Sequence, residues 1–264
     1  MQENKTGQNR IVEQVWDYTK HAKFYEFRPN YAPKSIDMLI TLARGEKTGS
    51  LKVADIGAGT GNLSIMLLER GCEVVSVEPN DAMREIGIER TKGQKIEWVR
   101  ATGVDSTLQS GSFDWVTFGS SFNVMDRTEA LKEAHRLLKS KGYFSCMWNH
   151  RDLNDPIQQK AENAIVSIVP NYTRGVRRED QRPVIEAHQD LFDNIIYIEE
   201  DFYFHQSLEN YILAWRSVKN PYWDLETSEG QEIFDKITAK MRQSLPKEFD
   251  IKYTTRCWSA RKVG

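Results

Sequence analysis

The sequence predicts an α/β protein built on a doubly wound, mostly parallel sheet. Three observations carry that expectation. Short apolar runs alternate with amphipathic helical windows from Leu51 to about Asn149, a glycine-rich turn joins the first run to the first window, and an acidic residue closes the second run. Strands that alternate with helices imply right-handed crossovers and helices on both faces of a parallel sheet.

Taken in order, residues 10 to 45 read as helical. Ile11, Val12, Val15 and Trp16 fall at helical spacing, and Ile36, Met38, Leu39, Ile40 and Leu42 form a second apolar cluster. Between them the aromatic connection Phe24–Pro33 carries two prolines, which favour an extended path. The predicted strands are Leu51–Ile56, Glu73–Val77, Ile96–Val99, Trp115–Gly119 and Tyr143–Trp148, with helices over Leu63–Arg70, Ala82–Glu89 and Thr128–Leu138. After Asp155-Pro156 the rhythm breaks. A helix over Ile157–Val169 leads into the Arg-rich stretch Thr173–Arg182, then a strand-like run Ile195–Phe204, helices near Leu208–Val218 and Gly230–Ser244, and a closing strand Ile251–Ala260. An insertion of this length more often covers a substrate than fills space. The expected division is therefore an N-terminal segment 1–45, a core 46–152 and a cap with closing strands, 153–264, within one domain.

The 264 residues include 36 basic and 38 acidic side chains, and 39% of them are hydrophobic. That composition supports a buried core and excludes a disordered chain. The even charge balance argues against a dedicated nucleic-acid binder. No apolar run is long enough to span a membrane. The first residues lack the apolar stretch of a secretory signal. Three scattered cysteines, Cys72, Cys146 and Cys257, suit neither a disulfide framework nor a metal knuckle. The expectation is a soluble cytoplasmic protein, monomeric or homodimeric, with no membrane or metal.

The segment Val53-Ala54-Asp55-Ile56-Gly57-Ala58-Gly59-Thr60-Gly61-Asn62 runs an apolar strand into three alternate glycines and then a helix. Glycines there let the backbone turn sharply and approach a ligand, and the helix terminus offers free N–H groups. Glu78 closes the next strand 21 residues after Gly57, close to the ~20-residue offset at which an acidic side chain reaches a ribose diol. A nicotinamide-binding loop wants glycine at the position held here by Asn62.

This Asp55-x-Gly57-x-Gly59-x-Gly61 pattern resembles the first motif of the class I S-adenosylmethionine-dependent methyltransferases. The resemblance implies a seven-stranded Rossmann-like sheet with an N-terminal helical lid and a C-terminal cap insertion. It also implies S-adenosyl-L-methionine as cofactor, with Gly57, Ala58, Gly59, Gly61, Asn62, Pro79 and Met83 around it. Asp55 would order the loop or the ammonium group, and Glu78 the ribose. Arg100–Leu108 resembles the turn that flanks adenine, which implicates Thr102, Gly103 and Val104. Ser120, Ser121 and Asn123 lie at the end of the fourth strand, where the family faces the methyl group.

The helix Glu129–Leu138 with Lys139-Ser140-Lys141-Gly142 resembles the family's "LKPGG" connection. Trp148–Asp152, with Tyr25, Arg28-Pro29 and Tyr31 upstream, is similar to the small-molecule branch around trans-aconitate methyltransferase and the UbiE-like (type 11) enzymes. That branch often reads "AFHWFD" where this chain has Ser121–Asp126. Tyr25 and Arg28 would sit in the closing lid.

The implied activity moves a methyl group by in-line displacement to an oxygen or nitrogen of a small molecule. His150, at a strand end facing the ligand crevice, is the leading general base, ahead of His205 and His21. Arg177 and Arg178 in the cap offer forked hydrogen bonds to an anionic acceptor, and Trp215 an aromatic wall. No HExxH, CxxC or nucleophile-elbow pattern points to other chemistry. Competing readings are a non-catalytic adenosylmethionine-binding subunit, an RNA or protein methyltransferase, and a nicotinamide-dependent oxidoreductase.

Overall fold

The structure is a computed structural model and describes residues 18–173 and 179–264. The described residues contribute seven strands to one sheet: β1 (Lys52–Ile56), β2 (Glu73–Val77), β3 (Ile96–Val99), β4 (Phe113–Gly119), β5 (Leu138–Arg151), β6 (Phe192–Ser207) and β7 (Glu248–Lys262). Their order is β3-β2-β1-β4-β5-β7-β6. β1 to β5 pair in parallel, and β7 runs antiparallel between β5 and β6. The chain winds outward from β1 to β3, then jumps back to add β4 on the other side of β1. The carboxyl ends of β1 and β4 therefore flank a topological switch point, where α/β sheets open a crevice.

Two helical layers cover the sheet. On one face, Ala54 and Ile56 of β1, Val116 and Phe118 of β4 and Phe144 of β5 pack against Ala130, Leu131, Ala134 and Leu137 of α4 (Arg127–Leu137). On the other, Val53, Val74, Trp115 and Met147 meet α1 (Pro33–Arg44) and α2 (Asn62–Leu68) through Ile36, Leu39, Leu63 and Leu67. A strand buried on both faces is largely apolar, and in β1 Val53, Ala54 and Ile56 flank the single fully buried charge, Asp55. Pro33 opens α1 at its first position, where the missing N–H costs nothing. The helix α3 (Asp81–Arg90) is capped by the Asn80 side chain, which accepts the Met83 N–H at 3.0 Å.

A third core lies beyond the short central strands. Ala161 and Ile165 of α5 (Pro156–Ile168) pack with Tyr211 and Trp215 of α7 (Leu208–Arg216). Phe234 and Ile237 of α8 (Ser228–Ser244) close it onto Phe249 and Ile251 of β7. A short helix, α6 (Arg182–Glu186), precedes β6. β5, β6 and β7 run 14, 16 and 15 residues against five for β1, and this extension carries the third layer.

Several boundaries differ from expectation. β6 and β7 outrun Ile195–Phe204 and Ile251–Ala260 because their ends alternate exposed and covered positions, so charged residues there resemble loop. Lys139–Gly142, expected as a connection, and Leu138, expected as the last residue of the helix, already belong to β5. It enters with a register shift against β4 and with Lys141 at a positive φ of 59°, the geometry of a bulge. The first half of Phe24–Pro33 is not extended: Ala22–Phe27 forms a 3-10 turn, and the chain extends only from Arg28. The predicted helix around Ile11–Trp16 lies outside the described residues. No helix among the described residues is long and apolar enough to cross a membrane.

Candidate active site

The glycine loop leaves β1 in a left-handed path, with φ of 66° at Gly57, 59° at Gly59 and 85° at Gly61, a region that glycine enters without steric cost. At Gly57 the requirement is doubled, since a Cβ there would stand 2.5 Å from the Ser121 Cβ. The Gly57 and Ala58 N–H groups donate to the Val77 carbonyl at 2.8 and 3.0 Å, which fastens the loop to the end of β2. Gly61 then caps α2.

Glu78 completes the fastening. Its Oε2 accepts the Gly59 N–H at 2.9 Å and its Oε1 accepts the Asn80 N–H at 2.8 Å. Burial raises its pKa in spite of these bonds. Asp55 is fully buried and accepts hydrogen bonds from the Ser64 hydroxyl at 2.6 Å and the Thr117 hydroxyl at 3.1 Å. Burial outweighs both and pushes its pKa up to about 6. Burial disfavours the ionised form of both carboxylates, and a cation bound beside them would favour it.

These groups wall a cavity of about 580 Å³ that spans from the ends of β1 and β2 to the end of β5 and its partner Tyr253 within β7. On the β1 side the wall comprises Asp55, Gly57, Ala58, Gly59, Thr60, Asn62, Leu63, Glu78 and Met83. Gly119 ends β4 and Ser120, Ser121 and Val124 follow it, while Asn149, His150, Arg151, Leu153, Tyr172, Val218 and Tyr253 form the far side. Ser120 sits at a φ of 60° and hydrogen-bonds the Tyr31 hydroxyl at 2.9 Å. A non-glycine residue in this region is a strained position of the kind that gathers at functional sites.

The N-terminal segment supplies Tyr18, Tyr25, Arg28, Pro29 and Tyr31 to the same wall. It is tied across to α7 and the residues after it. Arg28 donates from Nε to the Ser217 hydroxyl at 2.7 Å and from Nη2 to the Ser217 carbonyl at 2.8 Å, and its guanidinium lies 4.0 Å from the Tyr25 ring centroid. His21 Nδ1 lies 2.8 Å from the Arg216 carbonyl, and Lys20 pairs with Glu226 at 2.8 Å. Burial raises the Tyr25 pKa, so it presents a neutral phenol.

Of the residues singled out from sequence, Tyr25, Arg28, Asp55, Gly57, Ala58, Gly59, Asn62, Glu78, Met83, Ser120, Ser121 and His150 meet at the cavity. Gly61 stands behind the loop, where Trp98 would lie 3.3 Å from an added Cβ. Pro79, Thr102, Gly103, Val104, Asn123 and Trp215 are not among the lining residues. Thr102 accepts the Asp105 N–H within its own turn at 3.2 Å, and Gly103 packs under Met125. The exposed Asn123 accepts the Trp148 indole N–H at 3.0 Å. Trp215 is buried in the third core, against Arg151. Arg177 and Arg178 lie outside the described residues. His205 is exposed and pairs with Asp250. Among the described residues no cluster could hold a metal ion.

Sequence reasoning missed Asn149, Arg151, Tyr172 and Tyr253. Asn149 and Arg151 had a usable signal, since both neighbour His150 at the end of β5. Tyr253 faces Arg151 only through the β5–β7 register, and nothing local marks Tyr172.

The sheet and its site together define the Rossmann-like fold of methyltransferases. Residues 54–146 match the Methyltransf_11 family, described as a methyltransferase domain. The chain is 33% identical over 125 residues to an uncharacterized methyltransferase of Mycobacterium tuberculosis, covering 47% of this chain and 48% of that protein. It is 32% identical over 123 residues to the ubiquinone/menaquinone biosynthesis C-methyltransferase UbiE of Methylobacterium nodulans, covering 44% and 49%. The chain spans about half the length of the curated relatives it matches. Among solved structures, YcgJ of Bacillus subtilis superposes with a TM-score of 0.53 at 16% identity, covering 88% of this chain and 99% of that one. A phosphoethanolamine N-methyltransferase of Haemonchus contortus, solved with phosphomonomethylethanolamine and S-adenosylhomocysteine, superposes with a TM-score of 0.54 at 16% identity, covering 96% and 59%. These likenesses establish the fold.

Proposed function

We propose that the chain is an S-adenosylmethionine-dependent methyltransferase acting on an oxygen or nitrogen of a small molecule held on the β5 side of the cavity. The observation that carries this reading is the unit formed by the Gly57–Gly61 loop and Glu78 on the cavity wall, within the residues that match a methyltransferase domain. The residues present fit the cofactor. Close approach to the loop is open because Gly59 has no side chain and only the end of Met83 within 4 Å of where one would stand. Glu78 suits its ribose diol, since each Glu78 oxygen accepts one backbone N–H and keeps a second lone pair, and the buried carboxylate of Asp55 suits its cationic groups. The cavity volume falls within the ~300–1,000 Å³ of small-molecule sites.

When bound, the cofactor supplies a methyl carbon already activated by a positively charged sulfur. What remains for the protein is alignment and the exclusion of water. Orientation of this kind is worth roughly 7–11 kcal/mol. Tyr25 and Tyr18, which meet edge to face at 6.1 Å, close the cavity from the N-terminal side. Their electron-rich faces suit a nearby cation. His150 takes the proton from a hydroxyl or amine acceptor at an imidazole nitrogen. Buried free thiols at Cys72, Cys146 and Cys257 suit a reducing compartment such as the cytoplasm.

Calorimetric titration with S-adenosylmethionine and, separately, with a nicotinamide cofactor tests the reading. Binding of the first alone is expected, and binding of the second alone would overturn it.

A further inference from the structure

We propose that Asn149 is a positioning residue of the site: with Thr255 it clamps the Pro29–Ala32 segment so that Tyr31 holds Ser120 toward the ligand. The inference rests on the methyltransferase reading and deepens it. Residues 28–32 join the 3-10 turn to α1 and belong to no helix or strand. Pro29 and Pro33 remove two backbone donors there, and the residues before them, Arg28 and Ala32, are extended at ψ of 145° and 124°. Buried backbone groups outside a ladder have to be met by side chains or water.

Asn149 and Thr255 meet them from two neighbouring strands, where they face each other in the β5–β7 register. Asn149 Nδ2 donates to the Pro29 and Asn30 carbonyls at 3.2 and 3.0 Å, and its Oδ1 accepts the Thr255 hydroxyl at 2.6 Å. The Thr255 hydroxyl oxygen in turn accepts the Ala32 N–H at 2.8 Å. Asparagine suits the place, because one planar amide gives two donors to the carbonyls and an acceptor to the hydroxyl. Asn149 borders the cavity, whereas Thr255 is fully buried and is not among the lining residues.

Tyr31 lies between these anchors. Its hydroxyl oxygen would stand 2.9 Å from a Cβ added at Gly119, so that glycine leaves it room to reach the Ser120 hydroxyl, also at 2.9 Å. Ser120 lines the cavity just after β4 with a φ of 60°, a conformation that persists only where the surroundings hold it. A phenol donating to Ser120 leaves the serine proton for a ligand. Asn149 thus acts on the crevice through the segment, Tyr31 and Ser120.

Calorimetry with S-adenosylhomocysteine tests the clamp, and exchange of the Ala32 amide hydrogen, followed by NMR, gives a readout that needs no ligand. Thr255→Val keeps the shape, removes the hydroxyl and alters no residue of the cavity wall. It should quicken Ala32 exchange and weaken S-adenosylhomocysteine binding about three- to tenfold, and Thr255→Ser should restore most of that loss. Asn149→Ala should cost at least as much affinity. With Tyr31→Phe already present, the Asn149→Ala loss should shrink to about twofold or less, because the link to Ser120 is broken. Should Asn149→Ala fail to fold, Thr255→Val takes its place in the cycle with Tyr31→Phe. The inference is overturned if Ala32 exchange stays as in the wild type, if affinity holds while exchange quickens, if Thr255→Ser binds as weakly as Thr255→Val, or if the losses in the cycle simply add. Absence of S-adenosylhomocysteine binding to the wild type would instead bring down the methyltransferase reading, and the positioning role with it.

Discussion

The Glu78 carboxylate accepts the Gly59 N–H at 2.9 Å, so the glycine loop and the end of β2 form one rigid unit before any ligand arrives. Glu78→Gln keeps the shape but turns an amide N–H₂ toward one of the two backbone donors, Gly59 or Asn80. Hydrogen bonds to charged groups contribute about 1.5–3 kcal/mol. Titration of the variant with S-adenosylmethionine should show affinity reduced roughly 10- to 150-fold. Unchanged affinity would remove Glu78 from the site.

Asp55 makes cofactor affinity depend on pH. Burial lifts its folded pKa to about 6 from the 3.8 of a free aspartate. The folded protein therefore holds a proton that the unfolded chain releases. The contribution to stability is complete below the unfolded value and is lost as pH rises through about 6. Glu78, also raised by burial, acts in the same direction. A cationic ligand prefers the ionised carboxylate, so affinity moves the opposite way and should be about tenfold weaker at pH 5 than at pH 7. Asp55→Asn should flatten both profiles, as followed by thermal melts and calorimetry across this range.

Gly57→Ala should damage both stability and binding. A left-handed φ costs a non-glycine residue about 1–2 kcal/mol, and a clash in a packed region about 1–3 kcal/mol more. Gly71 has a similar φ of 74° but open space around it. Gly71→Ala is thus the control for strain alone, with a loss of about 1 kcal/mol and unchanged cofactor affinity. Equal melting temperatures for the two variants would contradict the close approach of Gly57 to Ser121.

Arg28 and Ser217 link the N-terminal segment to the residue after α7. Arg28→Ala should speed cofactor dissociation severalfold with a small change in melting temperature. Ser217→Ala should give a weaker effect, because the carbonyl bond remains. Stopped-flow dissociation rates check this, and additive effects in the double variant would argue against a shared latch.

Much of the sheet was legible because its signals are local. The apolar runs of β1 to β5, the three glycines and Glu78 lie where periodicity and turn chemistry put them. The ends of β6 and β7 were not, since their exposed alternating positions carry charges that read as loop. Asp55, Glu78 and His150 could be placed at the crevice from strand ends alone. Arg151 had the same local signal as its neighbour His150, whereas Tyr253 reaches the crevice only through strand pairing with Arg151 over about a hundred residues of chain, a relationship that no local pattern encodes. Trp215, expected in a substrate wall, instead lies behind Arg151, because an aromatic residue at helical spacing reads the same whether it faces a cavity or a core.

A crystal structure of the protein with S-adenosylhomocysteine tests the central claim most directly. The ligand is expected in the cavity beside Gly57–Gly61, with its ribose hydroxyls within hydrogen-bond distance of Glu78. Ligand density elsewhere on the molecule, or an empty cavity at a concentration that saturates binding in solution, would contradict it.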